Sequence, residues 1–98
     1  MRESRFQKHL KIRLKKEFPG CIILKNDANL LPGFPDLLIL YKKHWAAIEV
    51  KAGPSESFQP NQLHYIQVLS HMSYAAVIYP ENIEEILDEI QRAFKTRR

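Results

Sequence analysis

The chain has 98 residues, of which 45% are hydrophobic and 27% charged, ordinary proportions for a globular domain that exclude disorder throughout. No apolar run approaches the roughly 20 residues of a membrane span, no apolar segment follows the charged N-terminus, and a single cysteine excludes an intrachain disulfide. We therefore expect one domain over 1–98, without a membrane partner, in a reducing, intracellular (cytoplasmic) setting. The formal net charge is +4, and basic residues crowd the first quarter of the chain.

The first predicted element is a basic amphipathic helix over 3–18. Apolar residues recur every four positions from Phe6 to Phe18, and basic residues occupy the other faces. Pro19 and Gly20 end this helix. A positive surface of this kind favours a polyanionic partner such as nucleic acid, whereas a solvated helix face without a partner explains the same charges.

The rest of the chain alternates short apolar runs with turn residues and helical patterns. The predicted strands are 21–24, 36–41, 45–51 and 74–79, and the predicted helices are 60–72 and 81–95. Pro60 is expected in the first turn of its helix, where a missing N–H costs nothing. The second and third strands form an antiparallel hairpin, and the connection through helix 60–72 is long enough for a right-handed parallel crossover to the fourth. The predicted fold class is α/β, a small mixed sheet of about four strands flanked by helices, in the order αβββαβ plus a C-terminal helix.

Two short segments carry the candidate chemistry, Gly-Phe-Pro-Asp at 33–36 and Ile-Glu-Val-Lys at 48–51. Asp36 begins the second predicted strand, and Glu49 and Lys51 lie two residues apart near the end of the third, so both point to one face. Since the start of one hairpin strand lies beside the end of the next, Asp36, Glu49 and Lys51 converge. The two carboxylates suit a hard cation such as Mg²⁺, with the backbone carbonyl of Val50 as a further ligand. Lys51 would orient or deprotonate a water, or stabilise charge on a scissile phosphate.

Simpler explanations exist for each segment. Pro-Asp is a common turn pair, and the spacing Glu-x-Lys occurs widely by chance. Three observations favour a site: the segments fall on adjacent strands, Glu49 interrupts an otherwise apolar strand where an unpaired charge is costly, and Lys51 is a suitable partner.

Together with Pro-Asn-Gln at 60–62, at the start of a helix, these segments resemble the PD-(D/E)XK nuclease superfamily. Within it they are most similar to the VRR-NUC family, including its small stand-alone members from phages and bacteria. The resemblance extends from Glu3 to about Tyr79. It implies a restriction-endonuclease-like core, with Asp36 and Glu49 as ligands of Mg²⁺ or Mn²⁺ and Lys51 as the catalytic lysine in phosphodiester hydrolysis.

Two further site residues follow from the resemblance. Glu3 matches an acid that the superfamily often has on its first helix near the active site, and the helix dipole explains an acid at that position equally well. Gln62 matches the family's helix glutamine, and a capping role in the first turn is its simpler explanation. Where the family usually has a serine before the proline, this chain has Gln59.

The resemblance implies a metal-dependent, structure-selective DNA endonuclease acting on branched DNA such as a four-way (Holliday) junction. It also implies that the protein is a homodimer in a bacterial or phage-infected cell. Whether a helicase or a recombination protein is a further partner stays open. The basic residues expected to contact the nucleic-acid backbone are Arg2, Arg5, Lys8, Lys25 and the C-terminal segment 95–98. Two alternatives stay open: a non-catalytic nucleic-acid-binding module that keeps the fold, and a nuclease of the superfamily that acts on other DNA or on RNA.

Overall fold

A computed structural model of the chain describes residues 2–96. The helices are α1 (Glu3–Glu17), α2 (Gln62–Met72) and α3 (Ile83–Thr96), the strands are β1 (Ile22–Lys25), β2 (Leu37–Tyr41), β3 (His44–Val50) and β4 (Tyr74–Ile78), and a short 3-10 turn (Pro80–Asn82) precedes α3. The predicted order of helices and strands is therefore confirmed. Arg97 and Arg98, which were predicted to contact DNA, lie outside the described residues.

The four strands form one mixed sheet in the order β1-β2-β3-β4. β1 with β2 and β2 with β3 pair antiparallel, while β3 and β4 pair parallel through the crossover that contains α2. A mixed sheet flanked by helices is thus confirmed as the fold class. β3 is central, and every residue from Ala46 to Val50 is buried because both faces of the strand are covered.

The helices divide between the two faces of the sheet. The apolar stripe of α1 and that of α3 pack together on one face, forming a core from Phe6, Leu10, Leu14, Leu37, Ile39, Ile48, Val50, Ile78, Ile86, Leu87, Ile90 and Phe94. An ion pair between Arg13 and Glu84, with a guanidinium-to-carboxylate distance of 2.8 Å, joins the two helices at the surface. Side chains of β3 alternate, so Ala47 and Glu49 face the opposite side, where α2 packs on β3 and β4. Among the described residues, Ile22 and Leu24 of β1 are exposed on this second face, and α2 covers it at β3 and β4.

The start of α2 differs from the prediction. The helix begins at Gln62, and Asn61 takes a left-handed conformation with φ of 71°. Asparagine tolerates this conformation better than most residues, so a tight turn through Pro60 and Asn61 precedes the helix. The prediction that Pro60 occupies the first helical turn is therefore wrong. This turn directs the Gln62 side chain towards Glu49 on the sheet, while its Oε1 also accepts a hydrogen bond from the backbone N–H of Gln59.

Other differences are confined to element ends. Asp36 lies directly before β2 and Lys51 directly after β3, because the ladder between those strands ends at the pair Leu37 and Ile48. Both side chains consequently stand at the rim of the sheet, with Asp36 partly exposed and Lys51 buried. Among residues 2–96 no helix is long and apolar enough to cross a membrane.

Candidate active site

Asp36 and Glu49 are neighbours across the β2–β3 hairpin. The register pairs Leu37 with Ile48, so the next residue outward on each chain segment is one of the two acids. The backbone N–H of Val50 donates a hydrogen bond of 2.8 Å to Oδ2 of Asp36. This contact holds the Asp36 carboxylate across the end of β3, as the hairpin geometry predicted.

Glu49 is a carboxylate held in the interior. Only 3% of the residue is exposed, and its Oε2 accepts a hydrogen bond of 2.8 Å from Nε2 of Gln62. Its other oxygen, Oε1, is buried without any hydrogen-bond partner. Burial and the nearby Asp36 carboxylate raise the pKa of Glu49 to about 7, and Lys51 opposes that rise. A buried carboxylate oxygen without a partner is costly, and a bound cation would satisfy it.

Lys51 and Gln62 complete a network around this carboxylate. The Nζ of Lys51 donates to Oε1 of Gln62 at 3.0 Å and lies 3.6 Å from Oε2 of Glu49. The backbone N–H of Gln59 also donates to Oε1 of Gln62, at 2.7 Å. Since both groups that approach this oxygen are donors, the orientation of the Gln62 amide is determined, with its Nε2 towards Glu49. Gln62 therefore reaches back towards the residues before the helix and also contacts the site.

Segment 52–59 closes over Lys51, which sequence reasoning did not anticipate. The backbone carbonyl of Ser57 accepts a hydrogen bond of 3.1 Å from Nζ of Lys51, and the same ammonium lies 5.1 Å from the centre of the Phe58 ring. The feature of the sequence that could have indicated this contact is Phe58, a single aromatic residue within a polar loop. Lys51 is 7% exposed as a result.

Glu3 lies at the edge of the network and not inside it. It is an exposed residue at the start of α1. Desolvation and the Asp36 carboxylate raise the pKa of Glu3, and Glu56, another acid that sequence reasoning missed, acts in the same direction. Lys51 and Lys25 oppose the rise. The start of α1 is thus within electrostatic range of the two central carboxylates, as predicted for Glu3.

Of the predicted nucleic-acid-binding residues, Arg2, Arg5, Lys8 and Lys25 are exposed. Arg2, Arg5 and Lys8 line a shallow hollow of about 600 Å³ along α1. Lys25, at the end of β1, acts electrostatically on Glu3, which follows Arg2 in the chain. We call Arg2, Arg5, Lys8 and Lys25 the basic patch. Of these four residues, Lys25 is the one that acts on an acid of the site.

A second hollow of about 340 Å³ opens directly beside the network. Asp36 and Gln62 form part of its wall, and the rest comes from the loop before Asp36 and from the turn before α2. It therefore offers space next to the carboxylates in which a substrate group can lie.

The donor set fits a hard cation such as Mg²⁺ or Mn²⁺ better than a metal that prefers imidazole or thiolate ligands, such as Zn²⁺. Within the described part of the chain, no group of three or more His, Cys, Asp or Glu side chains is arranged to hold a metal ion. Mg²⁺ characteristically uses one or two carboxylates and keeps several waters, so Asp36 with the unpartnered Oε1 of Glu49 is a sufficient protein contribution. The Val50 carbonyl stays a predicted ligand.

Comparison with known proteins finds no family model that matches this chain and no significantly similar curated protein.

Proposed function

We propose that this chain is a metal-dependent endonuclease of the PD-(D/E)XK type that hydrolyses phosphodiester bonds in DNA. The observation that carries the proposal is the buried network of Glu49, Lys51 and Gln62 beside Asp36, in which Oε1 of Glu49 has no partner. A buried carboxylate oxygen without a hydrogen-bond partner destabilises a fold. A bound ligand of opposite charge is therefore the simplest explanation for its presence.

Each residue has a role that follows from its contacts. Asp36 and Glu49 would hold a divalent cation, each with one oxygen already oriented by a protein N–H group. The chemistry that such a cation supplies is neutralisation of charge on a phosphate and a lowered pKa for a water. Gln62 positions Glu49 and Lys51 relative to each other. Lys51, on leaving the Ser57 carbonyl, would donate to a phosphate oxygen as charge develops there.

The proposed substrate is DNA with a branch, such as a four-way junction. The basic patch supports a polyanion, because its four cations are exposed, three of them line one hollow along α1, and Lys25 is within electrostatic range of Glu3. Backbone contacts of this kind carry no sequence information, so selectivity would come from the shape of the nucleic acid.

One observation favours a non-catalytic binding module instead. The ammonium of Lys51 already faces three protein acceptors, on Ser57, Gln62 and Glu49, so it is held as a structural ion pair would be. Such a network stabilises a fold without catalysing a reaction, and the same basic patch would then serve binding alone.

A cleavage assay separates the two functions. Labelled four-way junction, flap, linear duplex, single-stranded DNA and RNA are incubated with the full chain in Mg²⁺, Mn²⁺ or EDTA. We expect metal-dependent cutting of the junction that is lost in Lys51→Ala and retained in Lys43→Ala, an exposed lysine in the β2–β3 turn. Binding without cutting in either metal would contradict the nuclease and favour the module.

A further inference from the structure

Loop 27–34, between β1 and the site, holds two neighbouring leucines in solvent. Leu30 is 82% exposed and Leu31 is 41% exposed. One exposed leucine is ordinary on a protein surface. Leu30 lines an apolar hollow of about 280 Å³ together with Leu24 and Leu38, and Leu31 follows it directly in the chain, so the two leucines extend an apolar patch.

The loop is held in shape by its own hydrogen bonds. The side-chain amide of Asn26 donates to the backbone carbonyls of Leu31 and Phe34, each at 3.4 Å, and so ties the two arms together. Within the loop, the N–H of Leu30 donates to the carbonyl of Asp27 at 2.9 Å. The leucines are therefore presented on an ordered turn and not on a loose tether.

The base of the loop is fixed against the start of α2. Gly33 has a φ of 88°, and a Cβ at this position would lie 2.7 Å from both the Asn61 Cβ and the Pro60 carbonyl oxygen. The ring of Phe34 meets the ring of Tyr65 edge-on, with centroids 5.4 Å apart. The loop thus stands in a constant position relative to Gln62 and the carboxylates.

Charge around the loop matches nucleic acid. Lys25 ends β1 just before the loop, and it acts electrostatically on Glu3 at the start of α1, where Arg2 and Arg5 lie. A phosphate that pairs with Lys25 would bring its bases next to Leu30, because both side chains line the same hollow. Apolar side chains in such a position insert between base pairs, and insertion costs least where stacking is already interrupted.

We propose that loop 27–34 is a wedge that inserts Leu30 and Leu31 into the branch point of a DNA junction and so selects branched over linear substrates. The proposal rests on the proposed function, because the wedge is the element that would place a branch beside the Asp36 and Glu49 site. The choice of substrate would then depend on Leu30 and Leu31, which lie outside the network of Glu49, Lys51 and Gln62.

The test uses the full chain in EDTA, so that binding is measured without cleavage. Four-way junctions with 2-aminopurine at the branch and linear duplexes of the same sequence are titrated by anisotropy and by 2-aminopurine fluorescence. We expect the wild type to prefer the junction by about tenfold or more and to raise its fluorescence by unstacking the base.

The double variant Leu30→Ser/Leu31→Ser is expected to lose this preference and the fluorescence rise while keeping its affinity for the duplex. Ile12→Ser, which removes another exposed apolar side chain about 14 Å along α1 from Glu3, should behave as the wild type.

The outcomes separate the wedge from the nuclease. An unchanged preference in the double variant, an equal loss of junction and duplex affinity, or a wild type that binds no DNA would overturn the wedge. So would sedimentation showing that the variant converts a dimer into a monomer, since the leucines would then be a subunit contact. A wild type that passes the fluorescence test but cuts nothing in Mg²⁺ or Mn²⁺ would overturn the nuclease and leave the wedge supported.

Discussion

Glu49 places a carboxylate on a strand that otherwise buries apolar side chains. An ordinary glutamate releases its proton near pH 4.5, whereas Glu49 keeps its proton until about pH 7 in the folded chain. Between these values the folded state binds more protons than the unfolded state, so this residue lowers the stability of the metal-free protein as the pH rises. The loss is complete above about pH 7.

We therefore predict that Glu49→Gln stabilises the metal-free protein more at pH 8 than at pH 5. A shift of one pKa unit corresponds to about 1.4 kcal/mol, so we expect the difference to be about 1–3 kcal/mol. Urea unfolding in EDTA at the two pH values measures it. Glu85→Gln, an exposed acid on α3, is the control and should show the same small effect at both. Equal effects of Glu49→Gln at pH 5 and pH 8 would contradict the raised pKa.

Gln62 connects the two charged residues of the network. Truncation to alanine would remove two hydrogen bonds. One runs from Nε2 of Gln62 to Oε2 of Glu49, and the other from Nζ of Lys51 to Oε1 of Gln62. We expect Gln62→Ala to lower the free energy of unfolding by about 1–3 kcal/mol. Gln67→Ala, at an exposed position of the same helix, is the matched control in urea unfolding. If Gln62→Ala lowers the free energy of unfolding no more than the control does, the Gln62 amide does not stabilise the network.

The convergence of Asp36, Glu49 and Lys51 was predictable from the residues. A hairpin sets the start of one strand beside the end of the next, and a spacing of two residues fixes a common face. Gln62 was not predictable in this way, because the spacing between Lys51 and α2 does not determine how the connecting segment folds. Only the family resemblance indicated its place. The position of Glu3 likewise depends on how α1 packs on the sheet, which no local pattern encodes.

At the scale of the elements, the contact between loop 27–34 and the turn before α2 orders the site. Two left-handed residues, Gly33 and Asn61, meet there. Sequence reasoning left the segment before Asp36 as a loop but placed Pro60 and Asn61 inside helix 60–72, since proline commonly occupies a first helical turn. A close approach between a loop and a turn leaves no periodic pattern in the sequence. The residue at which α2 begins could therefore not be predicted.

Gly33→Ala tests this contact. The added Cβ would lie 2.7 Å from two atoms of the turn and would sit at a φ of 88°, so we expect a loss of about 2 kcal/mol or more in unfolding free energy. Gly53→Ala is the control, because its Cβ would have no atom within 4 Å and its φ lies outside the left-handed region. Thermal and urea unfolding compare the two. A cost for Gly33→Ala that does not exceed that of Gly53→Ala would mean that the loop moves freely against α2.

At the scale of the whole molecule, β1 is an edge strand, and within residues 2–96 no helix covers its second face. Ile22 is 57% exposed on that face, and its antiparallel partner Leu40 is only partly buried. The short apolar runs at β1 and β2 indicated strands but did not indicate which face α2 would cover. The predicted homodimer has an apolar surface available to it here.

We expect the wild-type chain to sediment as a dimer and Ile22→Lys to sediment as a monomer, because a buried lysine would be unpaired in a contact between copies. Ile12→Lys, which changes an equally exposed isoleucine on α1, should leave the dimer intact. Sedimentation velocity across a concentration series makes the comparison. A monomeric wild type, or a dimeric Ile22→Lys variant, would remove this face as the subunit contact.

The central claim is that Asp36 and Glu49 together hold a divalent cation, and calorimetric titration of Mn²⁺ into the full chain at pH 8 tests it most directly. That pH lies above the pKa of about 7 for Glu49, so the carboxylate is ionised. We predict binding by the wild type and by Glu85→Gln, and loss of binding in Asp36→Asn and Glu49→Gln, whose amide oxygens still accept hydrogen bonds from Val50 and Gln62. Binding that persists unchanged in both amide variants, or is absent from the wild type, would contradict the claim.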